Sequence, residues 1–297
     1  MTDFHARPLL TTDTVAVWDV VCEGVCRHKS TEECVAATHL VFPYRGAYVQ
    51  HIGRAEAVAE PNQIVFINED EAYRVSHPVE GGDASLSIRL DTPTLLELVS
   101  ADYLQVKGRP AFNRTHLHLD THVQMLTTLV RHRLSRGVIE TLEAESLTLE
   151  LLRRVLSGCS SRAAAGSIGR RKLVDRAKLV LASDLGRRWT LAAVAADVGV
   201  SPVYLTQVFQ QVEGLPLYRY QLQLRLARAL DLLGDNAGLT SLALDLGFSS
   251  HSHFSAAFKT SLRSDTFGVS AFRSHSLSFS HNRRDGHATG GFTLRRR

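Results

Sequence analysis

Cysteine is scarce, with four residues in 297: Cys22, Cys26, Cys34 and Cys159. That number is too small to staple a chain of this length, which excludes a disulfide-built scaffold. No apolar run approaches the ~18 residues that a membrane-spanning helix requires. The opening MTDFHARPLLTTDT lacks the apolar core of a secretory signal. The expectation is therefore a cytoplasmic protein with reduced thiols and no membrane partner. No catalytic set of nucleophile, base and acid stands out, so neither an enzyme nor a cofactor is expected.

What is present is ordinary in bulk and uneven in charge. The chain is 44% hydrophobic and 22% charged, a globular profile long enough for about two domains. Its net charge of +4 divides as −5 over 1–166, +5 over 167–273 and +4 over 274–297. An acidic front and a basic back suggest that the back meets a polyanion.

The first ~90 residues carry short β-branched and aromatic runs: TVAVWDVVC, THLVFPY, AYVQHIG, QIVFINE, AYRVSH and ASLSIRL. Their spacing predicts a small barrel or sandwich. From about Thr115 the apolar period becomes helical. HLHLDTHVQMLTTLVRHRL and VIETLEAESLTLELLRRVL predict an antiparallel helical hairpin. SGCSSRAAAGSIG is small and polar, hence a linker, and the chain is helical from Arg170 onward. The tail from Ser274 has no sustained period and is expected to be disordered.

A short unit occurs twice. Ala195, Gly199 and Ser201 repeat as Ala243, Gly247 and Ser249, the glycines 48 residues apart. A helix containing Phe209 or Phe258 follows each. Small Ala permits close helix crossing, Gly ends the first helix, and Ser starts the next. Pro202 suits a first helical position, and Ser250 is placed to cap in the second unit. At about 100° per residue, Leu205, Val208, Phe209 and Val212 face inward, as do Phe254, Ala257, Phe258 and Leu262. The opposite faces carry Val203, Thr206, Gln207 and Gln210, and then His251, Ser252, Ser255, Ala256 and Lys259. Such short polar and methyl-bearing side chains can read base edges in a major groove.

Ser167–Arg273 resembles the DNA-binding domain of AraC/XylS transcriptional regulators. The residues that carry the likeness are WTLAAVAADVGVSPVYLTQVFQQVEGLPLYRY, QLRLARALDLL and LTSLALDLGFSSHSHFSAAFK. The resemblance implies an α+β protein: a cupin-like β-barrel with a helical hairpin, then an all-α domain of two helix–turn–helix units. The joining helix would run over about Leu217–Leu233. Domains are expected at 1–157 (sensor and dimerisation), 158–169 (linker), 170–273 (DNA binding) and 274–297 (disordered basic tail). The implied partner is double-stranded promoter DNA. Base contacts fall on Val203, Thr206, Gln207, Gln210, His251, Ser252, Ser255 and Ala256. Phosphate contacts are expected from Arg170, Arg171, Lys172, Arg187, Arg188, His253 and Lys259. Ala256 stands where many relatives have a longer polar side chain. After the second unit TSLRSDTFGVSAFR lacks the proline usual in the closing turn. The family also implies activation through RNA polymerase, a small-molecule effector and a homodimer. Leu126, Leu129, Val130, Leu149, Leu152 and Leu156 on the hairpin are candidates for core or dimer contacts.

Other constellations are weaker. His251 and His253, two residues apart, point about 200° from each other on a helix and do not share an ion readily. Cys22, Cys26, His28 and Cys34 fit no common zinc spacing, so no metal is assigned. His116-Leu-His118 lacks the glutamate a metal-dependent cupin needs. Trp18, His39, Tyr44, His51, Phe66 and Tyr73 are candidates to line a ligand cavity in the front barrel, or simply its core. The alternatives are a cupin-like binding protein whose helical domain has lost specific DNA binding, or a cysteine-based metal or redox sensor.

Overall fold

The computed structural model describes residues 4–24, 28–107, 109–158, 167–233, 238–264 and 294–296. The front part is antiparallel β-structure. Its strands are β1 (Phe4–Thr11), β2 (Val15–Cys22), β3 (Glu33–Val35), β4 (His39–Arg45), β5 (Tyr48–Ile52), β6 (Ala55–Ala59), β7 (Gln63–Ile67), β8 (Arg74–Ser76) and β9 (Asp83–Leu90). Helix α1 (Thr92–Leu98) follows, then β10 (Leu104–Lys107), β11 (Arg109–Phe112) and β12 (His116–His118). One sheet has the order β1-β2-β9-β4-β7-β12 and a second has β6-β5-β8.

Alternation explains how the sheets pack. Val15 and Val17, Leu40 and Phe42, Ile64 and Phe66, and Leu86 and Ile88 share one face of the large sheet. That face buries against α1 and two longer helices, α2 (Thr121–Ser135) and α3 (Thr141–Gly158). The opposite face presents Val41, Val65 and Ile67 to Tyr48 and Ala59 of the small sheet and to Tyr73 just before β8. With both faces covered, the central strands are buried at nearly every position.

The hairpin forms as expected, with α2 packed on α3. Asp120 starts α2 by accepting from the Val123 amide at 2.7 Å. The period change comes later than the sequence suggested. His116–His118 is a strand paired with β7, not the start of a helix. The leucine candidates resolve toward core. Val130, Leu152 and Leu156 are buried within this chain, and Leu126 and Leu149 pack against the same cluster. Leu129 is half-buried.

The back part is helical: α4 (Ile168–Ser183), α5 (Leu191–Val198), α6 (Pro202–Glu213), α7 (Leu217–Leu232), α8 (Leu239–Asp245) and α9 (His251–Ser264). One core joins α4, α5, α6 and the start of α7, and a second joins the end of α7 to α8 and α9. Strand β13 (Leu294–Arg296) pairs antiparallel with β3. This departs from the structureless tail expected there. Residues 274–293, like Cys26, Cys159 and the altered turn after Ser264, lie outside the described residues.

Candidate nucleic-acid interface

Each turn is built from its sequence signals. Thr190 caps α5 by accepting from the Ala193 amide at 3.1 Å. Gly199 ends α5 at φ +75, where its amide reaches the Ala195 and Ala196 carbonyls. Ser201 then caps α6 by accepting from Tyr204 at 3.2 Å, with Pro202 at the first helical position. The two helices meet at 85°. In the second unit Gly247 sits at φ +78, and Ser250 accepts from the His253 amide at 3.1 Å. Ala195 and Ala243 are both fully buried at the helix crossings.

The outward faces are open. Val203 is 67% exposed, and Gln207 and Gln210 are exposed beside it. Thr206 is half-buried and its hydroxyl donates to the Val203 carbonyl at 2.8 Å. On α9, His251, Ser252 and Ala256 are exposed and Ser255 is half-buried. Leu205, Val208, Phe209, Phe254 and Ala257 are buried beneath. His253 packs back on its own turn. Its Nδ1 is 3.0 Å from the Ser249 hydroxyl, and its ring meets Phe248 edge-on at 5.5 Å.

The basic candidates separate. Arg187, Arg188 and Lys259 are exposed, and the Arg187 guanidinium lies 3.9 Å over Trp189. Arg170 is exposed and donates to Gln211 Oε1 at 3.2 Å. Arg171 and Lys172 are exposed as well, and their charges also act on His116 and Glu56 of the front domain.

One unheralded residue ties the two units together. Arg225 on α7 donates to the carbonyls of Leu185 (2.8 Å), Arg187 (2.7 Å) and Gly247 (3.2 Å). The first two precede α5, and the third is the second unit's turn. A Cβ on Gly247 would fall 2.5 Å from the Gly186 carbonyl oxygen, so the segments touch backbone to backbone. No local sequence pattern signals Arg225, because its partners are 22 to 40 residues away.

The helical back part is docked on the front domain through a buried polar cluster. Tyr220 on α7 donates to Glu60 at 2.5 Å, and Asn62 donates to the Tyr220 carbonyl at 3.4 Å. Lys178 on α4, 2% exposed, pairs with Glu213 at 2.6 Å and lies 3.8 Å from Asp175. With the Gln63 amide nitrogen donating to the Val58 carbonyl, its oxygen accepts from Lys178 at 2.7 Å. Burial pulls the Lys178 pKa down, but Glu213, Asp175 and Glu60 outweigh it and hold the amine charged. Burial pushes the Glu60 carboxyl up to about 7, against the pull of Lys178, Tyr220 and the Asn62 amide. Asp175 rises to about 6 from burial, and His116 falls to about 4 for the same reason.

These shifts fix a pH dependence. A carboxyl whose pKa rises on folding stabilises below its ordinary value and loses that contribution as pH climbs through the folded one. Glu60 and Asp175 behave so. His116 acts oppositely, costing stability as pH falls below 6.5 toward 4. Glu60→Gln removes one titration. Its urea-unfolding stability is expected to fall less than wild type between pH 4.5 and 7. Parallel pH profiles for the two proteins would contradict the assignment.

The six ligand-cavity candidates are all buried, but they do not converge. Phe66 stacks on Phe112 at 3.9 Å on the helix-covered face. Trp18 and His39 contact each other on the other face, where His39 Nδ1 also lies 2.9 Å from the Ser87 hydroxyl. His51 pairs with Ser76 at 2.9 Å, and Tyr73 joins the inter-sheet core. Tyr44 alone reaches the domain junction, under the Arg131 guanidinium at 4.0 Å. There a crevice of about 260 Å³ opens between Arg45, Arg131, His132 and Arg228.

Two capped helix–turn–helix units with polar outer faces, joined by one helix, define a double-headed DNA-binding domain. Residues 194–264 match the family described as a helix-turn-helix domain. The match shows a helix-turn-helix domain of the DNA-binding kind in this part of the chain. No curated protein matches the chain. Among solved structures, the chain is similar to an apo, singly substituted form of ToxT from Vibrio cholerae at 12% identity. That match covers 84% of this chain and 94% of the other, with a TM-score of 0.37. An AraC-type regulator from Chromobacterium violaceum is 28% identical over 33% of this chain and 88% of its own, with a TM-score of 0.31. A cupin superfamily protein from Desulfitobacterium hafniense is 15% identical over 30% of this chain and 77% of its own, with a TM-score of 0.25. Among the described residues, no single helix is long and apolar enough to cross a membrane.

Proposed function

We propose that the protein is a cytoplasmic, homodimeric activator that answers a small-molecule effector and is not an enzyme. The observation that carries this is the docking of α7 on the front domain. The helix that joins the two reading heads is the same helix whose Tyr220 is held by Glu60 and Asn62. Anything that shifts the front domain therefore bears on the spacing of the heads.

Base contacts are assigned to Val203, Thr206, Gln207 and Gln210, and to His251, Ser252, Ser255 and Ala256. Arg170, Arg187, Arg188 and Lys259 are assigned to phosphate, which positions without reading sequence. The effector is assigned to the crevice at the junction. Asp231 pairs there with both Arg131, at 2.6 Å, and Arg228, and Arg45 adds a further positive charge, so the wall keeps a net positive charge that suits a small carboxylate. The homodimer is assigned to the hairpin, whose Val138 and Leu142 are 57% and 76% exposed. RNA polymerase is the partner through which such a protein would activate.

Sequencing the DNA cross-linked to the full chain in its native cells tests this. Discrete promoter sites whose transcripts fall on deletion of the gene are expected. Scattered sites, or transcripts that rise, would contradict the activator.

A further inference from the structure

A second constellation lies at the end of β2. Cys22 is the last residue of β2 and Asp83 the first of β9, and the two are direct cross-strand partners. Their side chains therefore leave the same face of the sheet side by side. His77, immediately after β8, completes the group. One ligand atom from each of the three lies within 4.8 Å of the others, and all three residues are buried.

Two observations separate this group from incidental packing. First, its polar atoms are not fully satisfied within the protein. Asp83 Oδ2 stands 2.9 Å from His77 Nε2 as an ion pair, and this contact together with Cys22 pushes the His77 pKa up to about 10, while His77 Nδ1 is buried without a side-chain partner. Buried polar groups left this way are costly unless something else engages them. Ser85, on the same face of β9 as Asp83, also has a buried hydroxyl without a partner, as has the Gln50 amide on the facing sheet. Second, the backbone is drawn in around the group. Gly82, beside Asp83, has φ +68, and a Cβ there would lie 2.3 Å from the Cys22 carbonyl oxygen.

We propose that Cys22, His77 and Asp83 form a binding site for one divalent first-row metal ion of the zinc class. A thiolate, an imidazole and a carboxylate are the three ligand types that such an ion accepts, at bond lengths of about 2.0 to 2.3 Å. In a tetrahedral site those bonds put ligand atoms roughly 3.3 to 3.6 Å apart, so a small inward adjustment seats the ion. Three protein ligands leave a fourth position for water or a small molecule. On binding, the Cys22 thiol and the His77 imidazolium each give one proton to solvent, and the sulfur pair and the freed ring-nitrogen pair go to the metal. The site joins β2 and β9 to the segment after β8, so it would brace the two sheets against each other. The proposal is independent of the DNA-binding assignment.

The test uses the reduced full-length chain titrated anaerobically with Co²⁺. One ion per chain is expected, with a near-ultraviolet sulfur-to-cobalt charge-transfer band. Cys22→Ser should abolish that band, while Cys34→Ser, which removes another buried cysteine thiol, should keep it. Asp83→Asn is expected to weaken binding at least about tenfold. Zn²⁺ should protect Cys22 in the wild-type chain from alkylation, read by peptide mass, which keeps the test open if Cys22→Ser fails to fold. No cobalt uptake, a band that survives Cys22→Ser, or unchanged alkylation with Zn²⁺ would overturn the site and leave His77 and Asp83 as a simple ion pair.

Discussion

Lys178→Met is expected to cost about 3–5 kcal/mol of folding stability in urea titrations. Lys178 is fully enclosed, so its charge is compensated only by what surrounds it: Glu213, Asp175, Glu60 and the Gln63 amide. Removing the amine leaves the Glu213 carboxylate buried without its partner, which is far worse than removing both. The double variant Lys178→Met, Glu213→Leu should therefore recover most of the loss. The same contacts say where the damage appears. Lys178 and Glu213 lie on α4 and α6, while Glu60 and Gln63 belong to the front domain, so both the first reading head and its docking should loosen together. A single variant within about 1 kcal/mol of wild type would contradict the role given to this ion pair.

Arg225→Ala is expected to lower affinity for the specific site at least about tenfold, equivalent to about 1.4 kcal/mol, while affinity for random DNA changes little. The reason is geometric. Three carbonyls, two from the segment before α5 and one from the turn at Gly247, converge on one guanidinium. Hydrogen bonds from a charged donor contribute about 1.5–3 kcal/mol each, so the clasp holds the two units at one spacing. Without it each head still meets DNA, but the pair no longer presents one register. Arg225→Lys should resemble the alanine variant, because an ammonium keeps the charge and loses the planar fork. Gel-shift titrations at fixed salt check both. Equal losses on specific and random DNA would instead assign Arg225 to phosphate contact.

The reading heads were legible in the sequence because their signals are local. A glycine that must take positive φ, a serine that caps the next helix and an apolar period of 3.6 all fall within about twenty residues of each other. The strands of the front domain were legible for the same reason, through their β-branched runs. Strand β1 carries no such signal, since ARPLL reads as neither alternation nor turn. Helix α1 is too short to show a period, although Asp91 caps it by accepting from Thr94 at 3.3 Å. The junction was invisible: Glu60 and Tyr220 are 160 residues apart and carry no motif. Arg171 and Lys172 illustrate the same limit. A basic run at a helix start says that charge is present, but not that its field also reaches His116 and Glu56 of the front domain. Cys22 drew notice beside Cys26 and Cys34 by proximity in sequence, whereas the fold places it with His77 and Asp83.

Hydroxyl-radical footprinting of the full-length chain on a recovered promoter site tests the central claim most directly. Two protected patches on one face of the duplex, about one helical turn (~34 Å) apart, are predicted. Gln207→Ala should weaken specific over random binding by about 1–3 kcal/mol and fade only the patch contacted by the first unit. A single patch, weak protection spread evenly along the fragment, or a Gln207→Ala protein that loses random DNA equally would contradict a two-headed reader.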